Sequence, residues 1–312
     1  MKSIKNLVTG GAGFLGSHLI DSLMESDEEV VCLDNFLNGK KNNINKWINH
    51  PKFKLIQHDI KNNLEIDVSK IWHLACPASP SYYQSNPIET LKTSFLGTLN
   101  MLELAKKLDA KLLFASSSEI YGNPKVHPQP ESYWGYVNTT GIRSCYNEGK
   151  RIGETLCNDY KRIHDLDIKI IRIFNTYGPK MNHNDERVIC NFIYRSLNNK
   201  PIIIYGNGLQ TRSFCFVDDL IKGMRLLMES NYNKPLNLGN PYEITIKELA
   251  QLIKSKTNSK IDFIYKSLPD DDPMKRKPNI NAAKDEINWE PTIDLDKGLE
   301  ITINWFKNLV EN

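Results

Sequence analysis

Lys5-Asn-Leu-Val-Thr-Gly10-Gly-Ala-Gly13-Phe-Leu-Gly16 decides the fold of this chain. A short apolar run meets three glycines at G-x-x-G-x-x-G spacing, and an amphipathic stretch from Phe14 to Met24 follows. The reading is strand, tight turn, helix. Glycine at these places permits the turn, close approach of the backbone to a pyrophosphate, and tight packing of helix on strand. The helix N-terminus then turns its free N–H groups toward negative phosphates. The next strand, Val30-Val-Cys-Leu33, ends at Asp34, 18 residues after Gly16. A carboxylate there accepts both ribose hydroxyls and repels a 2′-phosphate, so NAD is expected over NADP. Lys40 and Lys41 are the residues that could reach a 2′-phosphate instead. Phe14, Leu15, Asn35, Ile60 and Leu74 complete the expected cofactor contacts, and Asp59 is placed to receive the adenine amino group.

Outward from this loop, short apolar runs alternate with amphipathic ones. Phe53–Gln57, Lys70–Ala75, Lys111–Ala115 and Ile168–Phe174 read as strands, Pro87–Leu108 and Tyr146–His164 as helices. That alternation predicts an α/β fold: a doubly wound parallel sheet of Rossmann type, with right-handed crossovers. After Gly178-Pro179 the rhythm loosens. Arg187–Leu197 reads as a helix, Pro201–Tyr205 as a strand, and Thr211–Met228 as a strand running into a helix. Ile244–Lys254 reads as a helix with Thr245 as N-cap and Glu248 completing a capping box. Leu268–Pro278, rich in Asp, Pro and Lys, reads as a loop. The expected division is a cofactor domain over 1–178, rejoined by 211–240. A smaller C-terminal α/β substrate-binding part then covers 179–210 and 241–312.

The bulk properties exclude several classes. The chain has 312 residues, 40% apolar and 25% charged, which suits a folded globular protein. A net charge of +3 is too mild to imply a nucleic-acid partner. The six cysteines are scattered, with no Cys-x-x-Cys and no His cluster at metal spacing, so free thiols and no metal are expected. Strand-like sequence beginning by Ile4 leaves no room for a signal peptide. No apolar run approaches the ~18 residues of a membrane span. These readings predict a cytoplasmic protein without a membrane partner.

Two further clusters carry chemistry. Tyr146 and Lys150 stand four apart, on one face of the expected helix. Tyrosine ionises near pH 10, about three units too high for a base at neutral pH. A lysine charge about 4 Å away, at an effective dielectric of about 20, supplies roughly the 4 kcal/mol needed. Ser116-Ser-Ser-Glu119 follows a strand directly. Ligands of open α/β sheets bind beyond the carboxyl ends of strands, so three hydroxyls and a carboxylate stand where a substrate would lie.

Glycine loop, serine-rich strand end and Tyr146/Lys150, in that order, give a chain that resembles the extended short-chain dehydrogenase/reductases, which bind NAD(P) and nucleotide sugars. His73-Leu-Ala-Cys-Pro-Ala-Ser-Pro80, Pro87-Ile-Glu-Thr-Leu-Lys-Thr93, Cys145-Tyr-Asn-Glu-Gly-Lys150, Arg172-Ile-Phe-Asn-Thr-Tyr-Gly-Pro179 and Asp271-Asp-Pro-Met-Lys-Arg-Lys-Pro278 narrow the resemblance. Together with Tyr205-Gly-Asn-Gly-Leu-Gln-Thr-Arg-Ser213, they are similar to the UDP-glucuronate decarboxylase family over nearly the whole chain.

The resemblance implies a redox cycle at carbon 4 of UDP-glucuronate that yields UDP-xylose and carbon dioxide and regenerates NAD. It makes Tyr146 the base at the 4-hydroxyl. Lys150 lowers the pKa of that base and holds the nicotinamide ribose. Ser117 bonds the 4-oxygen and Glu119 handles the proton at carbon 5. Ser118 stands where related 4,6-dehydratases carry an acid, which disfavours dehydration. Arg276 is implied to reach the substrate, and Lys92, Asn175, Arg187, Tyr205, Gln210 and Arg212 to contact the nucleotide sugar. A homodimer is implied, and the soluble form rather than the membrane-anchored one. Asn147 replaces the family's usual Asp, and Thr139-Thr140 its usual Pro-Ile. Three alternatives stay open: an oxidative decarboxylase releasing a UDP-4-keto-pentose and NADH, a nucleotide-sugar epimerase or 4,6-dehydratase, and a NAD-sensing protein without turnover.

Overall fold

The computed structural model describes residues 5–182, 185–269 and 271–311, with side chains as far as 309. Ile4, where the strand-like sequence was expected to begin, lies outside the described residues. The first half consists of β1 (Lys5–Thr9), α1 (Phe14–Glu25), β2 (Glu29–Asp34), β3 (Phe53–Gln57), β4 (Lys70–His73), α2 (Pro80–Ser85), α3 (Pro87–Lys92), α4 (Thr98–Leu108), β5 (Lys111–Ser117), α5 (Ser144–His164) and β6 (Ile168–Ile173). The second consists of β7 (Thr176–Tyr177), α6 (Val188–Leu197), β8 (Ile202–Tyr205), β9 (Thr211–Ser213), β10 (Cys215–Phe216), α7 (Val217–Glu229), β11 (Leu236–Leu238), β12 (Glu243–Thr245), α8 (Ile246–Lys256), β13 (Phe263–Lys266), β14 (Lys275–Arg276), α9 (Asn281–Ile287) and α10 (Leu295–Glu311).

Seven strands form one parallel sheet in the order β11-β6-β5-β4-β1-β2-β3. The direction of winding reverses between β1 and β4, and the crevice at such a switch point is where doubly wound sheets bind ligands. The pleat explains the continuous apolar runs. Leu7, Val31, Ile71, Leu112 and Ile170 enter the core on one face. Their successors Val8, Cys32, Trp72, Leu113 and Ile171 enter the core on the other. A strand buried on both faces needs no polar alternation. Each such side chain contributes about 1.5–3 kcal/mol on burial.

The C-terminal elements do not build a separate core. Ile189 and Ile193 of α6, Leu249 and Ile253 of α8, and Leu299 and Phe306 of α10 join the cluster that holds Val8 and Trp72. Three small sheets, β7 with β10, β12-β9-β14, and β8 with β13, frame that part. Among the described residues no helix is long and apolar enough to cross a membrane.

Three local expectations are corrected. Leu268–Pro278 is not all loop, because Lys275–Arg276 pairs in parallel with Thr211–Arg212. The helix expected from Ile244 starts at Ile246, since Ile244 pairs with Arg212 in β12. Pro87–Leu108 is helical throughout but is interrupted by a π-turn at Thr93–Gly97, which a 3.6-residue period does not reveal.

Candidate active site

β1 delivers Gly10 into a left-handed conformation, φ +68°, which favours glycine. A Cβ at Gly16 would lie 2.1 Å from the Gly10 carbonyl oxygen, so α1 packs on the turn only because Gly16 has no side chain. Gly13 is the N-cap of α1 and supplies no side-chain cap, and the first turn holds no acidic residue. The helix start is therefore open to an anion. Asp34 closes the other side. Its carboxylate accepts the amide hydrogens of Ala12 at 2.9 Å and Phe36 at 2.7 Å. Burial pushes its pKa up, and those two amides oppose the shift.

A cavity of about 510 Å³ lies over this turn. Gly10, Gly13, Phe14, Leu15, Gly16, Asp34, Asn35, Ile60 and Leu74 all line it. Asp59 is held at its edge by Asn35 at 3.3 Å and by Lys61, whose ammonium is 3.6 Å away. Lys40 lines the cavity too. Glycine cradle, open helix start and buried carboxylate together fit a dinucleotide.

The reactive groups gather around the end of β5. Ser117 accepts the Glu119 amide hydrogen at 3.2 Å and so starts the turn Ser118–Tyr121. On α5, Tyr146 and Lys150 face inward and are almost fully buried. The Lys150 ammonium donates to the Ala115 carbonyl at 2.8 Å and stands 5.7 Å from the centroid of the Tyr146 ring. Tyr146 stacks on Tyr83, with centroids 5.2 Å apart. Burial pushes the Tyr146 phenol above its ordinary value, and the Cys76 side chain adds to this while Ser117 opposes it. In this state burial dominates the phenol, and the groups that act on it beside burial are Cys76, Ser117, Glu119 and Tyr83.

Glu119 stands between two guanidinium groups, Arg143 at 3.0 Å and Arg276 at 3.5 Å. Burial would raise its pKa, but Arg143 and Arg276 overrule burial and hold it at about 2. Arg276 is fully buried and donates to the carbonyls of Ser118 and Gly122. Arg212 pairs with Asp272 at 2.9 Å, and Asp272 also meets Arg143 at 3.5 Å. Below this cluster, Glu154 receives Ser116 and a two-pronged Arg172, tying α5 to β5 and β6.

The remaining expected residues spread further. Arg187 lines the cavity and is held by Asp185 at 2.6 Å. Gln210 is buried and donates to the Tyr205 carbonyl at 2.8 Å, while the Tyr205 side chain is exposed. Asn175 accepts the Cys215 amide hydrogen through its backbone at 2.9 Å. Lys92 is half exposed and pairs with Glu89 at 2.9 Å; it does not line the cavity, although its neighbour Thr93 does. Sequence reasoning missed Arg143, Asp272, Tyr83 and Cys76. Arg143 is the N-cap residue of α5, three residues before Tyr146, and that position was the only available signal.

Comparison with known proteins agrees with this geometry. A family model described as GDP-mannose 4,6 dehydratase matches residues 7–302. UDP-glucuronic acid decarboxylase 3 of Arabidopsis thaliana is 52% identical over 300 residues, covering 96% of this chain and 88% of the relative. UDP-glucose 4-epimerase of Thermotoga maritima, solved with UDP-glucose, superposes with a TM-score of 0.92 at 29% identity, covering 98% of this chain and 100% of the other. A mutant UDP-glucuronic acid 4-epimerase of Bacillus cereus, solved with UDP-4-deoxy-4-fluoro-glucuronic acid and NAD, gives 0.90 at 27% identity, with the same coverage. The chain belongs to the nucleotide-sugar branch of the extended short-chain dehydrogenase/reductases, and within it to the UDP-glucuronic acid decarboxylases.

Proposed function

We propose that this protein is a NAD-dependent UDP-glucuronate decarboxylase that forms UDP-xylose and carbon dioxide. The observation that carries the reading is a hydroxyl-rich strand end, Ser117–Glu119, beside a buried Tyr146/Lys150 pair and an arginine cluster, in a chain with a decarboxylase relative at 52% identity. NAD, when bound, would supply the acceptor and later the donor of the hydride at carbon 4. Gly10, Gly13, Phe14, Leu15, Gly16, Asp34, Asn35, Asp59, Ile60 and Leu74 would hold it, with Asp34 toward the ribose.

Tyr146 takes the proton of the sugar 4-hydroxyl, and Ser117 holds the 4-oxygen by hydrogen bonding. A ketone at carbon 4 is β to the carboxylate, so the electrons of the breaking carbon–carbon bond pass into an enolate as carbon dioxide leaves. Glu119 then delivers a proton to carbon 5, and Tyr146 returns its own proton to the 4-oxygen. Ser118 has no ionisable acid to expel water at neutral pH, which opposes dehydration. Arg276, Arg212, Arg187, Lys92, Asn175, Tyr205 and Gln210 receive the nucleotide sugar, the arginines through two-pronged contacts to the diphosphate or carboxylate.

We assign 1–178 with 211–240 to cofactor binding, and 179–210 with 241–312 to the nucleotide sugar. A cytoplasmic location is the reading that six free cysteines, five of them buried, support. A homodimer is supported by Ile88, Leu91, Phe95 and Ile152, exposed apolar residues on the adjacent segments α3, Thr93–Gly97 and α5.

Incubation with UDP-glucuronate and NAD, followed by mass analysis, tests the activity. UDP-xylose without accumulation of NADH is expected. Retention of the carboxyl carbon, or NADH equal to substrate consumed, overturns the reading.

A further inference from the structure

We propose that Arg143 receives the carboxylate of the sugar, and that its exchange between that carboxylate and Glu119 times the delivery of the proton to carbon 5. This inference rests on the decarboxylase reading above.

Arg143 is bound to Glu119 at 3.0 Å and to Asp272 at 3.5 Å, and its side chain is 14% exposed. Among the described residues its Nε has no hydrogen-bond partner, and neither has the Nε of Arg276 or the hydroxyl of Tyr83. A buried donor without a partner costs about 1–3 kcal/mol. Three such donors from α5, β14 and α2 surround one carboxylate, which points to an oxygen-rich anion completing the cluster. Among the described residues, three guanidinium groups, Arg143, Arg212 and Arg276, pair with two carboxylates, Glu119 and Asp272. These described groups carry one positive charge more than negative, the complement of one substrate carboxylate.

Position agrees with this. Ser117, at the 4-oxygen, and Glu119 are two residues apart on one turn. Carbon 5 is bonded to carbon 4, so the sugar carboxylate reaches the groups that hold Glu119. Among the described residues, the groups around Glu119 are Arg143 at the N-cap of α5, Tyr146 on α5, Arg276 from β14, Arg212 from β9, Asp272 from the segment before β14, and Tyr83 from α2.

The exchange balances. When the sugar carboxylate takes Arg143, Glu119 keeps only Arg276 at 3.5 Å, loses the nearer of its two counter-charges, and binds one proton from solvent. Cleavage then sends the bonding pair into the enolate, and neutral carbon dioxide leaves. Arg143 is now left with Asp272 at 3.5 Å alone, and Glu119 becomes a stronger acid as it turns back to the guanidinium. Its proton goes to carbon 5 and its carboxylate returns to Arg143. One proton from solvent enters per turnover.

Arg143→Gln and Arg143→Lys test this with NAD-loaded protein, measured by calorimetry against UDP-glucuronate, UDP-xylose and UDP. Arg143→Gln should weaken UDP-glucuronate by at least about tenfold while UDP-xylose and UDP stay within about twofold. Arg143→Lys should recover part of the loss. In turnover, the Gln variant should release more UDP-4-keto-pentose and NADH per UDP-xylose than wild type. Equal loss for UDP-glucuronate and UDP-xylose would show a structural role and overturn the assignment. An unchanged product ratio would refute the timing. NAD binding by each variant reports folding, and the Lys variant decides the matter should the Gln variant fail to fold. Wild type releasing no carbon dioxide from UDP-glucuronate would instead sink the functional reading, and this inference with it.

Discussion

Gly16 and Tyr146 show how differently single residues can be constrained. At Gly16 the constraint is space: a methyl group would sit 2.1 Å from one backbone oxygen and 2.7 Å from the Gly11 Cα. No rotamer relieves that contact, so the helix must move away from the turn. Gly16→Ala should lower NAD affinity by at least about tenfold and lower the melting temperature, both read by thermal shift with and without NAD. At Tyr146 the constraint is chemical. Tyr146→Phe retains the stack on Tyr83 and should bind NAD as wild type does, with turnover lost. Residual turnover within about tenfold of wild type would remove the tyrosine from its role as base. The spacing of Tyr146 and Lys150 was legible in the sequence. The balance of charges acting on the phenol was not, because Cys76 and Tyr83 reach it from 70 and 63 residues away along the chain.

At the scale of elements, local rules explain most of what was read correctly. Thr245 accepts the Glu248 amide hydrogen at 3.1 Å, and Glu248 accepts the Thr245 amide hydrogen at 2.9 Å, so the capping box is complete. Thr245→Ala should cost about 1 kcal/mol in urea unfolding, without effect on NAD binding. A capping box involves residues three apart and can be read directly. The π-turn at Thr93–Gly97 cannot, since one extra residue in a turn leaves the apolar pattern helical. It bears on the site nonetheless: Thr93 lines the cavity and Ser94 lies 3.4 Å from the Cys76 sulfur. The strand Lys275–Arg276 was hidden for a similar reason. Two residues among Asp, Pro and Lys form a strand only because Thr211–Arg212 offers them a partner.

Across the whole molecule, burial and exposure divide the work. The large sheet is buried on both faces, while Ile88, Leu91, Phe95 and Ile152 remain exposed on α3, the π-turn and α5. A pair of changes, Ile88→Glu with Phe95→Glu, should convert a dimer to monomers in light scattering and leave the far-ultraviolet circular dichroism unchanged. A wild-type mass of one chain would end the homodimer proposal. The sequence by itself determined the parallel sheet, the glycine turn, Asp34 and the Tyr146/Lys150 face. All of these rest on periods and spacings within about 20 residues, where backbone geometry leaves few choices. Only the tertiary structure decided the company that Glu119 keeps. Arg143, Arg212 and the Asp272–Arg276 stretch come from three separate segments, and charges so far apart along the chain meet only because β9, β14 and the start of α5 pack beyond the end of β5. Long-range electrostatics of this kind follows from the fold, and no spacing in the sequence encodes it.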